Sequence, residues 1–219
     1  MENLIKDLFY KTYGVQPSNI IPLSAHGSAR RYFRILSATD SVLATYNEDK
    51  KENIAFVDYA KQLKQRGLNV PEIIAVDLDN GVYFQEDLGD ETLFDFLQKA
   101  DENQIRDIYT KIVKLLPRWQ VEATRGFDST NAYPRKQFDA QSIQWDLNYF
   151  KYYFLKLAEI PFDEEGLEED FSVLKSYLLD TNCTYFLYRD FQSRNIMLAK
   201  DDVYFIDFQG ARQGALHYD

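Results

Sequence analysis

Cysteine is almost missing from this chain of 219 residues: Cys183 stands alone. No disulfide can form within the chain, which points to a reducing, cytoplasmic setting. Cys183 itself reads as a small buried apolar residue. Glycine and proline are sparse, at 9 and 6 residues, which excludes collagen-like and low-complexity chains. No apolar run approaches the roughly 20 residues of a membrane span. The opening Met-Glu-Asn-Leu-Ile-Lys lacks the long apolar region of a signal peptide, so no membrane partner is expected. Basic residues are also in deficit: 25 Lys and Arg face 35 Asp and Glu, for a net charge of -10. That balance disfavours binding to a nucleic-acid backbone, which requires a basic surface. It is compatible with a cationic or neutral small substrate.

Aromatics, by contrast, are abundant, with 16 Tyr and 16 Phe, and the length suffices for one large domain or two small lobes. Leu4, Ile5, Leu8 and Phe9 share a helical face, which predicts a helix over Glu2 to Tyr13 ending near Gly14. Strands are expected at 19–23, 32–35 and 41–46. Between the first two lies a polar turn, Ser24 to Arg31. Gly27 allows a close backbone approach, and Ser28, Arg30 and Arg31 offer donors or charge, as a flap over nucleotide phosphates would need. An ordinary hairpin turn explains the same residues, with His26 as a turn residue. A helix is expected over 53–66. Glu52, near its start, suits the helix dipole; pairing with a phosphate-binding cation is the other reading. Asn80-Gly81, between runs 73–76 and 82–85, is a strong hairpin signal. Further helices are expected at 91–100, 102–121, 139–159 and 167–180, the second kinked or shortened by Pro117. Most of the aromatics of the third, Trp145, Tyr149, Phe150, Tyr152, Tyr153 and Phe154, read as core; its Asp146 could reach a substrate hydroxyl or ammonium, with a plain surface role as the other reading.

The chemistry concentrates between Tyr188 and Gly210. There Tyr-Arg-Asp-Phe-Gln-Ser-Arg-Asn-Ile-Met-Leu is followed by an acidic turn and by Val-Tyr-Phe-Ile-Asp-Phe-Gln-Gly. Asp190 precedes Asn195 by five residues, and Asp207 closes the next apolar run. An amide oxygen and a carboxylate brought together by a hairpin can hold a hard cation such as Mg²⁺. A second carboxylate near that metal, but not on it, can accept a proton from a hydroxyl. Separately, the strand-end segment Glu86-Asp87-Leu88-Gly89-Asp90 has the look of a hinge between two lobes.

Arg-Asp-x-x-x-x-Asn followed by Asp-Phe-Gln-Gly resembles the catalytic and metal loops of the protein-kinase-like phosphotransferases. Tyr188 stands where protein kinases have His, and Gln209 where they have the first Gly of Asp-Phe-Gly. Both departures point to the aminoglycoside phosphotransferase and choline kinase family. Leu-Asn-Val-Pro-Glu-Ile-Ile-Ala-Val-Asp and Glu-Asp-Leu-Gly-Asp-Glu-Thr-Leu are similar to its anomeric amino-sugar kinase branch, whose members phosphorylate the C1 hydroxyl of N-acetylmuramate or N-acetylglucosamine. The resemblance implies an α+β, bilobal, kinase-like fold, with a nucleotide-binding lobe over 1–88 and a mostly helical lobe over 89–219. It implies Asp190 as catalytic base, Asn195 and Asp207 as Mg²⁺ ligands, and ATP or GTP as phosphoryl donor. Glu86 and Leu88 fall where such enzymes hold the base through backbone groups. The third strand lacks the lysine that grips phosphates in kinases; Lys50, Lys51, Arg30 and Arg31 are all possible substitutes. Relatives continue well past Gly210, so a longer natural protein with a further C-terminal segment or domain is expected. An aminoglycoside phosphotransferase and a nucleotide-binding regulatory module without catalysis are the rival readings.

Overall fold

The computed structural model describes residues 1–23, 30–37 and 40–219. The first part is a five-stranded antiparallel sheet of β1 (Asn19–Leu23), β2 (Arg31–Leu36), β3 (Ser41–Tyr46), β4 (Ile73–Asp77) and β5 (Val82–Glu86), in the order β1-β2-β3-β5-β4. Helix α1 (Glu2–Tyr13) covers one face. Its Ile5, Leu8 and Phe9 pack on Ile35, Val42, Ala44, Val82 and Phe84, the inward set of the two-residue alternation along each strand. The helix stops at Gly14, whose left-handed conformation (φ 72°) suits a residue without a Cβ.

Helix α2 (Lys50–Gln65) lies on the other face. It begins three residues earlier than expected because Asp49 caps it, accepting from the backbone N–H groups of Lys51 and Glu52. Its apolar side joins Tyr83 of the sheet to a larger core formed with the second part of the chain. The clearest link is Phe56 stacked on Phe208 at 4.8 Å and 7°. Burial of this shared core is what fixes one lobe against the other.

The second part contains α3 (Leu93–Leu97), α4 (Glu102–Thr124), α5 (Ala140–Phe150) and α6 (Glu164–Leu179). Two small antiparallel ladders accompany them: β6 (Tyr185–Leu187) with β9 (Arg212–Gly214), and β7 (Ile196–Ala199) with β8 (Asp202–Phe205). Helix α3 is shorter than expected, opening on a capping box between Thr92 and Asp95. Helix α4 runs through Pro117 without being shortened. Helix α5 ends at Phe150 and gives way to a π turn over 151–155.

The aromatics of this region differ most from expectation. Trp145, Tyr149, Phe150, Tyr152, Tyr153 and Phe154 are exposed rather than core. They cover one another instead: Tyr149 stacks on Tyr153 at 4.5 Å, Phe150 on Phe154 at 5.4 Å, and Lys156 lies 5.0 Å from the Tyr152 ring. Cys183, expected to be buried, is only half-buried.

Candidate active site

The β7–β8 hairpin and the turns flanking it bring the late polar residues together. Asn195 is buried in the turn that leads directly into β7. Its amide nitrogen donates to the backbone carbonyl of Asp190 at 2.9 Å and lies 3.5 Å from Asp207 Oδ2. The backbone N–H of Ile206 donates to the Asn195 carbonyl at 3.0 Å. The nitrogen of Asn195 is thus committed within the protein, and its oxygen is the atom a hard cation would take.

Asp207 sits in the left-handed region (φ 64°, ψ 34°), a conformation uncommon outside glycine but tolerated by Asp. Gln209 Nε2 donates to its Oδ1 at 2.8 Å. Behind it, the buried Tyr188 hydroxyl donates to the carbonyl of Ile206. Tyr188 packs edge-on against Trp119 at 5.5 Å and Phe191 at 5.7 Å. Burial raises its phenol well above the ordinary value, so it remains a donor at any working pH. The residue that stands in place of histidine is therefore a strut between the two loops.

Asp190 is half-buried, and its carboxylate lies over Gly210, where a Cβ would come within 3.4 Å of Oδ2. Burial pushes its pKa up. Arg189 opposes this, and the negative charges of Asp207 and Asp146 reinforce it. The result is a carboxylate more basic than usual. Asp146 reaches the same rim from α5, 3.5 Å from the Arg189 guanidinium and accepting from Tyr218 Oη at 3.4 Å.

Asp219 was not singled out in the sequence. Its carboxylate accepts the backbone N–H groups of Tyr188 and Arg189, both at 2.8 Å. Arg189 has a φ of 79°, so Asp219 holds the left-handed turn that presents Asp190. No local pattern around Asp219 advertises this role.

The candidate nucleotide residues divide. Gly27 and Ser28 lie outside the described residues, as does His26. Arg30 is buried, with Nη2 3.2 Å from Glu52 Oε1 and Nη1 4.0 Å from Asp207 Oδ1. Arg31 is exposed on the opposite side of β2. Glu52, in the first turn of α2, meets Arg30 and also accepts from Asn47 Nδ2 at 2.7 Å, so the helix dipole is not its sole partner. Glu86 ends β5 with its carboxylate engaged by Lys200, by Lys64 at 3.7 Å and by the Glu72 N–H at 3.1 Å. Burial alone would raise the Glu86 carboxyl, but the Lys200 hydrogen bond, the Glu72 N–H and the charges of Lys64 and Lys200 together outweigh it and hold the group below its usual range. Leu88 is buried between Asp87, which forms a two-point pair with Arg34 at 2.6 and 3.0 Å, and Gly89, at φ 81°.

No group of three or more His, Cys, Asp or Glu side chains suited to a metal occurs among the described residues. The pair Asn195 and Asp207 nevertheless fits Mg²⁺, which takes one or two protein oxygens and completes its shell with phosphates and water.

A small antiparallel sheet that shares a core with a mostly helical part, with polar loops where the two meet, is a protein-kinase-like fold. The solved structures agree. The streptomycin–ATP complex of the aminoglycoside phosphotransferase APH(2")-IIa superposes with a TM-score of 0.69 over 100% of this chain and 74% of its own, at 13% identity. Choline kinase LicA from Streptococcus pneumoniae gives 0.65 over 99% and 71%, at 16% identity. In sequence, residues 19–219 match the phosphotransferase enzyme family model, and the chain belongs to that family. It is 28% identical over 211 residues to the N-acetylmuramate/N-acetylglucosamine kinase of Pseudomonas aeruginosa, and 24% identical over 221 residues to the protein of the same name in Neisseria meningitidis. Those alignments cover 94% and 98% of this chain but 59% and 64% of the relatives, so the chain spans roughly three fifths of their length. No helix among the described residues is long and apolar enough to cross a membrane.

Proposed function

We propose that this protein transfers the γ-phosphoryl group of ATP or GTP to a hydroxyl of an amino sugar. The observation that carries the reading is the junction of Asp190, Asn195 and Asp207, linked through one amide nitrogen, in a chain of the phosphotransferase family. The two similar amino-sugar kinases support the substrate class. Residues 1–88 form the nucleotide-binding lobe in this reading and residues 89–219 carry the acceptor side, with the hinge at Glu86–Leu88 facing the base through backbone groups.

Asp190 is the base. Its raised pKa makes it a better proton acceptor than an exposed carboxylate, and it takes the proton of the acceptor hydroxyl as the oxygen attacks the γ-phosphorus. The bond from phosphorus to the bridging oxygen breaks, and the nucleoside diphosphate leaves. Asn195 and Asp207 would hold Mg²⁺, which would offset the phosphate charge. Asp219 and Tyr188 keep the two loops in register. In this reading Asp146, 3.5 Å from Arg189, accepts a hydrogen bond from the acceptor. Catalysis of this kind rests on positioning and electrostatics rather than on a covalent intermediate.

The test is to incubate the full-length protein with γ-labelled ATP, and separately GTP, against N-acetylmuramate, N-acetylglucosamine and a set of aminoglycosides. Label on an amino sugar is the expected result. Label on aminoglycosides alone would replace the substrate class, and nucleotide-dependent stabilisation without transfer to any acceptor would make the protein a binding module.

A further inference from the structure

The third strand presents Leu43 and Thr45 on the face turned away from α1, while Val42, Ala44 and Tyr46 pack towards that helix. Neither residue on that face is cationic. Lys50 pairs with Asp79 at 2.5 Å at the surface, and Lys51 is exposed. Arg31 shares the alternation of Phe33 and Ile35, on the side of α1. Arg34 is tied to Asp87 and Asp90 at the hinge. Arg30 differs from all of these.

It precedes β2 by one residue, so it shares the side of Tyr32, and the β2–β3 register carries it to the level of Asn47, just beyond Tyr46. Its guanidinium lies 5.3 Å from the Phe56 ring, on α2 one turn after Glu52. Glu52 is itself fixed by Asn47. Two groups from different elements therefore aim one buried cation at the carboxylate of Asp207, and Phe56, which supports its plane, also stacks on Phe208.

We infer that Arg30 takes over the phosphate-gripping role of the absent third-strand lysine, with Glu52 as the residue that positions it; this rests on the phosphotransferase reading above. A guanidinium offers a planar fork with five N–H donors, suited to two phosphate oxygens at once, where an ammonium offers a point charge. Delivery from the start of β2 rather than the middle of β3 leaves Thr45 free to bond Gln85, which donates to its hydroxyl at 3.3 Å. The difference between a half-buried acidic partner fixed by Asn47 (Glu52) and one that would hold the metal (Asp207) defines what Arg30 does. It neutralises the first at all times and exchanges part of its hold on the second for a phosphate.

The test compares binding of a nucleoside, its diphosphate and its triphosphate with Mg²⁺, using whichever base the unmodified protein prefers, for wild type, Arg30→Met and Arg30→Lys. The expected result is that Arg30→Met weakens triphosphate and diphosphate binding by about 10- to 100-fold, the range of a lost charged hydrogen bond, and leaves the nucleoside unchanged. Arg30→Lys recovers part of that loss. Equal affinities for wild type and Arg30→Met, or equal losses for nucleoside and triphosphate, would overturn the assignment while leaving the phosphotransferase reading intact. Absence of nucleotide binding by the wild type would overturn both. If Arg30→Met does not fold, Arg30→Met combined with Glu52→Gln removes the carboxylate stranded without its cation and reads the same contrast.

Discussion

Tyr188→Phe isolates a single hydrogen bond at the centre of the site. The ring keeps its contacts with Trp119, Phe191 and Phe205, at 5.5, 5.7 and 6.3 Å, so no cavity opens. The loss is the hydroxyl that donates to the Ile206 carbonyl. That carbonyl then loses the donor supplied by the buried Tyr188 ring, at a cost of about 1–2 kcal/mol. For a chain of this size the melting temperature should fall by about 2–8 °C. Tyr188→Ala adds the cavity and should cost about 3–5 kcal/mol. The comparison separates bonding from packing. Calorimetry with and without Mg²⁺ and nucleotide is the assay. Because Ile206 immediately precedes Asp207 and its N–H bonds Asn195, Tyr188→Phe should also reduce the extra stabilisation that Mg²⁺ with nucleotide gives. A melting temperature within about 1 °C of wild type would refute the reasoning, since one kcal/mol moves it by more than that.

Other outcomes follow from the same geometry. Asp190→Asn should reduce turnover by about 10²- to 10⁴-fold, the usual contribution of a general base, with nucleotide affinity nearly unchanged in a titration. The same variant should melt higher than wild type near neutral pH. The folded protein holds the Asp190 pKa above its unfolded value, so ionising it costs stability above the folded pKa, and that cost disappears as pH falls through the raised pKa towards the ordinary carboxylate range. A melting-temperature difference that stays constant from pH 7 to acid would contradict this. Asp207→Ala should abolish the Mg²⁺-dependent part of nucleotide affinity, which chelation of Mg²⁺ in the wild type should mimic. Asp219→Ala, by releasing the Tyr188 and Arg189 N–H groups, should lower kcat more than it raises the nucleotide KM; equal effects on both would point to general unfolding instead.

Local signals carried much of the fold. The apolar face of 2–13, its stop at Gly14 and the hairpin at Asn80-Gly81 are short-range patterns, and the structure keeps them with boundaries within a residue or two. Helix starts were less legible where the cap lies among charges: Asp49 and Asp163 begin α2 and α6 three residues before the periodic apolar run signals a helix. The aromatic run of α5 misled, because periodicity gives the width of an apolar face but not what covers it. Within the site, Asp190, Asn195 and Asp207 are contiguous enough to form a readable motif. Arg30 and Glu52 meet only through the β2–β3 register and the placement of α2, and Asp219 returns to Tyr188 from 31 positions away. Such pairings arise from the fold, and no spacing in the sequence encodes them.

The claim that Asn195 and Asp207 share one Mg²⁺ beside the base Asp190 is tested most directly by a crystal structure with Mg²⁺ and a non-hydrolysable triphosphate. The metal is expected about 2.1 Å from Asn195 Oδ1 and from an Asp207 carboxylate oxygen, with the Asp190 carboxylate facing the γ-phosphate and not bound to the metal. A metal held elsewhere, or a triphosphate whose γ-phosphate points away from Asp190, would contradict the account.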